Sequence, residues 1–408
     1  MKIIPYSRQS INQDDIDAVC EVLRSDWLTQ GPKVREFEEA LATECGAKHC
    51  VAAANGTMAL HLACLALDVG PGDTGLTSPI TFLASANCIA YCGGRPDFAD
   101  IDPDTLCLSP DRVEEYCRTR GVPKVVITVD FAGVPAALPR FRTLSGKYGF
   151  RLIEDAAHSL GSTYEYEGSR YSCGSCAHTD MAILSFHPVK TITTGEGGAV
   201  LTNDDNLAAK LRRLASHGVE RDPKYFETRN AELGTRNPKL GTPPPYYYEM
   251  QALGFNARIT DIQCALGLSQ LKRIWQIRER RQDIVRRYHR ALAELAEGQV
   301  VVLPPWPADT SPSYHLFTLR LGPKCRIERD ELFLHLRERG IYCQVHYIPI
   351  YRQPYYRRMH PFAGSDFPES EKYYATCLSL PLFPGLEDSD FHTVVKELSA
   401  ILAGVDGA

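Results

Sequence analysis

The chain reads SFHPVKTITTGEGG over residues 185–198, between two short apolar runs at residues 181–184 and 199–201. Each run is typical of a buried strand, so Lys190 lies in a turn between two predicted strands, beside glycines that let the backbone approach a ligand. A solvated surface lysine is the alternative, which the apolar flanks disfavour. Burial lowers the pKa of a lysine and leaves a neutral amine that can form a Schiff base. The stretch therefore predicts a covalent cofactor site, with the Ser185 hydroxyl at a strand end.

A second turn has the features of a phosphate-binding site. An apolar run at residues 50–54 is followed by the tetrapeptide NGTM at residues 55–58 and then by an apolar helical stretch. A helix N-terminus has free N–H groups and the positive end of the helix dipole, which suits a phosphate. Gly56 permits close approach and Thr57 adds a hydroxyl, although a simple helix N-cap is the alternative.

Strand-like and helical stretches alternate through the first half of the chain. Residues 125–129 are continuously apolar, as in a central parallel strand, and residues 152–155 form a later predicted strand. This alternation predicts an α/β fold with a mostly parallel sheet, in which ligands bind at the carboxyl ends of strands. Asp155, Gly56 and Ser185 each lie at such an end. Three strand ends thus offer an acid, a phosphate cradle and a lysine.

The second half of the chain has a different pattern. Residues 219–253 show neither a helical nor a strand period and form a long loop, after which Thr260 and Gln263 make a capping box that opens a single long helix. The mixture beyond residue 300 is typical of an α+β unit. We therefore predict a large domain over residues 1–253 and a smaller one over residues 254–408. The predicted elements beyond residue 300 are strands at 314–321 and 341–350 and helices at 330–339, 367–377 and 388–402.

Composition excludes several classes of partner. The 408-residue chain is 44% hydrophobic and 23% charged, with a net charge of -5, so no basic surface for nucleic acid is indicated. No run reaches the roughly 20 apolar residues of a membrane helix. The N-terminus lacks the apolar core of a signal peptide, which predicts a cytoplasmic protein.

The cysteines do not form a convincing metal site. The 14 cysteines are scattered, mostly within apolar stretches, and are interpreted as buried free thiols. Cys173 and Cys176 have the C-x-x-C spacing of a metal or redox motif, but no second pair or nearby histidine pair completes it. We predict no metal.

A lysine amine, a carboxylate, a phosphate cradle and an aromatic ring are what pyridoxal 5′-phosphate needs. The lysine holds the aldehyde as an imine, and the carboxylate keeps the pyridine nitrogen protonated so that the ring can accept electrons. Phe82, at a predicted strand-to-helix turn, is either a core residue or the ring that stacks on the cofactor.

On these residues the chain resembles the pyridoxal-phosphate sugar aminotransferases of the DegT/DnrJ/EryC1/StrS family. The resemblance covers nearly the whole chain and implies fold type I, with a three-layer α/β/α large domain and a smaller α+β C-terminal domain. The lysine stretch is highly specific to the family, and Asn55 stands where many relatives have serine. The other motifs that carry the resemblance are GPKVREF at 31–37, NGT at 55–57, EDAAH at 154–158, GEGG at 195–198, GFN at 254–256 and LSLPLFP at 378–384.

The resemblance implies a role for each matching residue. Lys190 would hold the cofactor and move protons, Asp155 would face the pyridine nitrogen, and His158 would lie against the ring. Asn256 would reach the phosphate of the partner subunit's cofactor, which implies a homodimer with shared active sites. The remaining implied cofactor contacts are Gly56, Thr57, Met58, Ser185 and Phe82.

Four stretches are similar to the pseudaminic-acid branch of the family. They are IPYSRQ at 4–9, SPITF at 78–82, SFHPVKTITT at 185–194 and QVHYIP at 344–349. This similarity implies that L-glutamate aminates C4 of UDP-2-acetamido-2,6-dideoxy-β-L-arabino-hexos-4-ulose, giving UDP-4-amino-4,6-dideoxy-N-acetyl-β-L-altrosamine. Another UDP- or dTDP-4-keto-sugar remains the alternative.

Contacts to the substrates are less defined by the sequence. Arg229 and Arg258 are candidates for the glutamate carboxylate, and no residue is assigned to it. Packing is the alternative role for every candidate at the sugar nucleotide. Those candidates are Trp27, Thr29, Gln30, Tyr314, His315, His346 and Tyr347.

Three other functions compete with transamination. A sugar dehydratase of the same fold has histidine in place of the lysine, which Lys190 argues against. A nicotinamide oxidoreductase needs a G-x-G-x-x-G turn, which the sequence after Asn55 lacks. A non-catalytic sugar-nucleotide sensor that kept the fold stays open.

Overall fold

The computed structural model describes residues 2–227, 244–359 and 362–404. Within those ranges no helix combines the length and the apolar character needed to cross a membrane. The strands are β1 Ile4–Pro5, β2 His49–Ala53, β3 Thr74–Thr77, β4 Arg95–Phe98, β5 Val125–Val129, β6 Arg151–Asp155, β7 Thr163–Tyr166, β8 Ser169–Ser172, β9 Met181–Ser185, β10 Gly198–Thr202, β11 Val219–Glu220, β12 Glu249–Met250, β13 Val301–Val302, β14 Thr310–Ser311, β15 Phe317–Leu321, β16 Ile341–Tyr342 and β17 Cys377–Leu380. The helices are α1 Gln13–Leu23, α2 Pro32–Cys45, α3 Gly56–Ala66, α4 Ala84–Tyr91, α5 Pro110–Thr119, α6 Leu138–Tyr148, α7 Asp205–Ala215, α8 Asp261–Leu271, α9 Ile274–Ala291, α10 Ala293–Glu297, α11 Arg329–Glu338, α12 Pro354–Met359, α13 Pro368–Thr376 and α14 Asp388–Leu402.

The main sheet has seven strands in the order β2-β10-β9-β6-β5-β3-β4. The pairs from β9 to β4 are parallel, whereas β10 runs antiparallel to both of its neighbours. This confirms the predicted α/β fold with a mostly parallel sheet. The antiparallel β10 makes residues 185–198 a long hairpin turn, closed by the pairing of Ser185 with Gly198.

Helices cover both faces of this sheet, as the alternation of side chains along each strand requires. Val125 and Ile127 pack with α3, α4 and α7, whereas Val126, between them, packs with α5 and α6 on the other face. Over β9 and β10 that second face is covered by α2 and α8. The result is the predicted three-layer arrangement, which leaves the carboxyl ends of the parallel strands at one edge.

The predicted long helix after Thr260 is two helices. The capping box of Thr260 and Gln263 is present and opens α8, but that helix ends at Leu271 and α9 begins at Ile274. At the break, the Arg273 guanidinium bonds to the fully buried Asp15 carboxylate. At the break, Arg273 therefore neutralises the buried Asp15, while α8 packs against α1 and α2.

The C-terminal part contains a three-stranded antiparallel sheet, β13-β15-β17, packed with α9, α11 and α14. The division into domains after residue 253 stays a prediction, since α8 shares a core with the main sheet and α9 shares a core with both parts.

Four predicted elements in this half differ in extent. The strand predicted at 341–350 is wrong beyond Tyr342, because the chain leaves β1 there and keeps a single bridge from Gln344 to Ser379. The strand predicted at 314–321 starts only at Phe317, and the helix predicted at 367–377 ends at Thr376, where β17 begins. The ends of the predicted loop 219–253 pair as β11 and β12, and residues 228–243 lie outside the described residues.

Gly267 of α8 sits where no side chain fits. A Cβ atom there would lie 2.6 Å from Phe37 Cζ and 2.9 Å from the Cγ2 atom of Thr194, in the turn that carries Lys190. Gly267→Ala is expected to lower the free energy of unfolding by about 1–3 kcal/mol through overpacking. Urea denaturation measures it. Gly146→Ala is the matched control, because Gly146 is helical with no atom within 4 Å of its added Cβ, and should stabilise by about 0.5–1 kcal/mol. Equal stability of Gly267→Ala and the wild type would contradict the packing.

Candidate active site

The turn after β9 carries Lys190 into the edge of the sheet. The Lys190 N–H donates to the His187 carbonyl at 2.9 Å, and the Thr193 hydroxyl donates to the Phe186 carbonyl at 2.9 Å, so the turn is fixed at both ends. Burial lowers the pKa of Lys190 to about 8, and the negative charge of Asp155 opposes this shift. Lys190 is thus partly buried in a fixed turn, and its role as a cofactor lysine stays a prediction.

Asp155 ends β6 and is 5% exposed. Its Oδ2 accepts a hydrogen bond from the Ser85 hydroxyl at 2.7 Å, and its Oδ1 accepts one from the Ala157 N–H at 3.2 Å. Burial raises the pKa of this carboxyl, whereas the Ser85 and Ala157 donors and the Lys190 charge lower it. The structure thus brings an acid and the candidate lysine together from separate strand ends.

The predicted phosphate cradle lies where β2 and β9 end. Gly56 is the first residue of α3, and a Cβ atom on it would lie 2.9 Å from Ser185 Cβ and 3.0 Å from Ser185 Oγ. Only glycine therefore allows the helix N-terminus to meet the Ser185 hydroxyl. The N-cap interpretation also holds, because Asn55 Oδ1 accepts from the Met58 N–H at 2.8 Å. Thr57 and Met58 follow in the partly buried first turn.

Three histidines and a tyrosine form one wall of the site. The rings of His158 and His315 have centroids 4.3 Å apart, and the Tyr347 hydroxyl lies 3.3 Å from His158 Nε2. His346 Nδ1 lies 2.8 Å from the Ser379 hydroxyl. Burial, followed by the charge of Lys190, lowers the pKa of each histidine, that of His346 to about 3. The wall is therefore neutral at physiological pH.

Several predicted contacts lie at the rim. Phe82 is 57% exposed, with its ring 6.2 Å from that of Tyr347. Asn256 is exposed, and its backbone forms an isolated β-bridge with Ser216. The next residue, Ala257, accepts a hydrogen bond at its carbonyl from the Ala54 N–H, just after β2. Arg258 Nη1 donates to the Ser216 hydroxyl at 3.1 Å, and Arg229 lies outside the described residues.

The sugar-nucleotide candidates divide into two groups and one separate residue, Tyr314. His315, His346 and Tyr347 join His158 in the wall described above. Trp27, Thr29 and Gln30 are exposed beside the start of α8, where Thr29 bridges to Thr260, and no contact joins them to Lys190 among the described residues. Tyr314 is fully buried and donates to the Pro305 carbonyl at 2.9 Å, which is a packing role.

Three residues at the site were not predicted from the sequence. Ser85 donates to Asp155, Tyr6 lies with its ring 5.3 Å from that of His346, and Phe131 lies 6.3 Å from both His158 and Tyr347. Tyr6 falls within the motif at residues 4–9, which was the only signal for it. Nothing in the sequence marks Ser85 or Phe131.

These residues fit pyridoxal phosphate. The glycine at position 56 leaves room for an anion at a helix N-terminus, and Asp155 and Lys190 supply the acid and the amine. Nδ1 of His158 is buried and has no hydrogen-bond partner in the described part of the chain, which fits a polar substituent of the ring.

The lowered pKa of Lys190 predicts the pH range in which its amine reacts. With a pKa of about 8 rather than 10.5, half of the amine is neutral at that pH, against about 0.3% for an ordinary lysine. The rate at which the apoprotein captures pyridoxal phosphate should rise with pH to a midpoint near 8, measured by absorbance. Asp155→Asn removes the charge that raises the pKa of Lys190 and should move the midpoint lower. A midpoint near 10.5 in the wild type would contradict the burial of the amine.

Comparison with known proteins gives a consistent result. A model of the DegT/DnrJ/EryC1/StrS aminotransferase family matches residues 9–399. The spore coat polysaccharide biosynthesis protein SpsC of Bacillus subtilis (strain 168) is 36% identical over 405 residues, covering 99% of this chain and 98% of that protein.

Solved structures share the fold. PseC of Helicobacter pylori, an aminotransferase involved in the biosynthesis of pseudoaminic acid, superposes with a TM-score of 0.84 at 28% identity, covering 99% of this chain and 100% of PseC. The PLP-form of Spr1654 from Streptococcus pneumoniae, a putative sugar aminotransferase, has a TM-score of 0.84 at 27% identity, with 99% of this chain and 100% of Spr1654 covered.

Proposed function

Because the chain belongs to the DegT/DnrJ/EryC1/StrS aminotransferase family, we propose that it transfers an amino group from L-glutamate to C4 of a UDP-linked 4-keto-6-deoxy-hexose. It is a sugar aminotransferase of fold type I, and this family uses pyridoxal 5′-phosphate. The observation that carries the proposal is the partly buried Lys190, whose pKa burial lowers to about 8 against the opposing charge of Asp155. The products would be 2-oxoglutarate and the amino sugar.

The residues that would hold the cofactor lie at three strand ends. Lys190 would bind it covalently, Asp155 would face the pyridine nitrogen, and Gly56, Thr57 and Ser185 would hold the phosphate. Phe82 would cover one face of the ring. Bound pyridoxal phosphate supplies an aldehyde that carries the amino group between substrates and a ring that accepts an electron pair.

The protein's own part in the reaction is proton transfer and orientation. A Lys190 amine with a pKa of about 8 can take a proton from Cα of glutamate and return one at C4 of the sugar in the second half. Asp155 balances positive charge on the pyridine nitrogen. The neutral wall of His158, His315 and His346 adds no cation that would compete with Lys190 for its place beside Asp155.

Two sugars are candidates for the acceptor. The likeness to PseC over the whole chain supports the N-acetylated UDP-4-keto-sugar of pseudaminic acid biosynthesis, together with the motif at residues 344–349. The 36% identity to SpsC favours a second candidate, a nucleotide-linked keto-sugar used in a coat polysaccharide. A homodimer with Asn256 reaching the neighbouring site, and a cytoplasmic location, stay predictions from the sequence.

The absorption spectrum of the purified protein with pyridoxal phosphate tests the function. A yellow band that shifts to shorter wavelength with L-glutamate is expected, followed by recovery when the keto-sugar is added. A protein that stays colourless would refute the proposal and favour the sugar-nucleotide sensor. Parallel assays with UDP- and dTDP-linked 4-keto-sugars would decide the acceptor, and turnover of the dTDP sugar alone would refute the UDP assignment.

A further inference from the structure

Two buried hydroxyl groups form a chain of hydrogen bonds that ends at Asp155. The Ser85 hydroxyl of α4 donates to Asp155 Oδ2 at 2.7 Å, and the Thr81 hydroxyl lies 2.9 Å from Ser85 Oγ. Thr81 is 3% exposed and Ser85 1% exposed, so water does not compete for these bonds. The contact joins residues far apart in sequence, since α4 follows β3 and Asp155 ends β6.

The direction of this relay follows from the number of protons. A hydroxyl has one proton to donate, and an ionised carboxylate only accepts. Since Ser85 gives its proton to Asp155, Ser85 must accept from Thr81. Both O–H dipoles therefore point toward Asp155, and each strengthens the other in a site of low dielectric.

The groups that face Asp155 show why such a donor is needed. Lys190, in the turn after β9, is the nearby cation, while Asp130, after β5, repels a second negative charge and Tyr347 contributes a buried phenol. Burial itself raises the pKa of Asp155 more than any other factor, and the Ser85 hydrogen bond is the largest factor that lowers it. Without Ser85, the pKa of Asp155 would rise and a larger fraction of its carboxyl group would be protonated.

We propose that Ser85, oriented by Thr81, is a positioning residue that keeps Asp155 ionised and in place for the protonated pyridine nitrogen of the cofactor. This inference rests on the role of Asp155 in the proposed function. Ser85 acts through Asp155 and does not itself handle the substrate.

Ser85→Ala tests the proposal through cofactor affinity in the otherwise intact protein. The Kd for pyridoxal phosphate, measured by quenching of apoprotein fluorescence, is expected to rise about 10- to 100-fold at pH 7, the cost of losing one hydrogen bond to a charged group. Because the lost donor raises the pKa of Asp155, the loss of affinity on acidification should begin at a higher pH than in the wild type. Ser85→Thr, which keeps the hydroxyl, should restore both properties.

Ser159→Ala is the matched control. The Ser159 hydroxyl donates to Asp130 Oδ2 at 2.6 Å, and both residues are fully buried, so this variant also loses one buried serine–aspartate bond beside the site. Its Kd should change less than threefold, since raising the pKa of Asp130 would weaken the repulsion on Asp155 and act in the opposite direction. If Ser85→Ala fails to fold, Thr81→Val tests the same relay with a smaller rise in Kd.

Four outcomes would overturn the proposal. Wild-type affinity and pH profile in Ser85→Ala would show that Asp155 does not need the hydroxyl, and an equal loss in Ser159→Ala would show a general packing effect. For the Thr81→Val variant, an unchanged Kd would refute the relay. A wild-type protein that forms no coloured adduct with pyridoxal phosphate would instead refute the proposed function, and this inference with it.

Discussion

Replacing Lys190 by alanine is expected to lower kcat by about 10³-fold or more, because no other described side chain beside Asp155 offers an amine of low pKa. Cofactor affinity should fall much less, since Gly56, Ser185 and Asp155, the residues proposed to hold the phosphate and the ring nitrogen, remain in place. Steady-state transamination and equilibrium dialysis with pyridoxal phosphate measure the two effects separately.

Lys147→Ala is the control for this variant, because Lys147 is an exposed lysine paired with Glu114 on the surface. Such a pair contributes roughly 0–1 kcal/mol, and turnover should be unchanged. Added methylamine should partly restore the Lys190→Ala variant by replacing the missing amine. Near-normal transamination without added amine would refute the assignment of Lys190.

The second large effect is expected for Asp155→Asn. Asparagine keeps the shape of the side chain and an oxygen that can accept from Ser85, but it carries no charge at any pH. We expect kcat to fall by about 10²- to 10³-fold, the usual cost of removing one preorganised electrostatic contact. Initial-rate assays of the glutamate half-reaction over pH 5–9 are the measurement.

The pH profile separates charge from shape in this variant. The wild-type rate should decline on acidification as Asp155 takes up a proton at its raised pKa, and Asp155→Asn should lack that limb. Asp97→Asn serves as the control, because Asp97 is also buried but lies on β4, at the far edge of the sheet, where it accepts from the Tyr116 hydroxyl of α5. An Asp155→Asn variant with wild-type kcat would show that no charge is required there.

Local signals in the sequence were sufficient to predict which residues the fold brings to the candidate site. Gly56, Asp155 and Lys190 each follow an apolar run typical of a buried strand, and the carboxyl ends of parallel strands meet at one edge. Ser85 gave no such signal, because a serine among apolar residues of α4 looks like any helical serine. Its partner Asp155 lies at the end of β6, and only the folded structure brings the two residues together.

The elements that were wrong failed for a related reason. An apolar run shows that residues 341–350 are buried, but not whether a neighbouring strand is there to pair with them, and the partner β1 is only two residues long. At the break between α8 and α9, Arg273 pairs with the buried Asp15, which lies far away in the sequence. Patterns along the chain indicate burial well, whereas the pairing of a strand and the interruption of a helix depend on residues distant in the sequence.

The position of β10 beside β2 also bears on when the main sheet can be completed during synthesis. In the main sheet β2 has β10 as its neighbour, yet β2 ends at Ala53 and β10 begins at Gly198. A nascent chain therefore carries an unpaired strand, and a helix N-terminus with nothing opposite it, until the ribosome has passed Thr202. Such long-range pairing is slow and exposes a sheet edge meanwhile. Because β10 closes the turn that carries Lys190, we expect pyridoxal phosphate to stabilise the protein only after this late strand has joined.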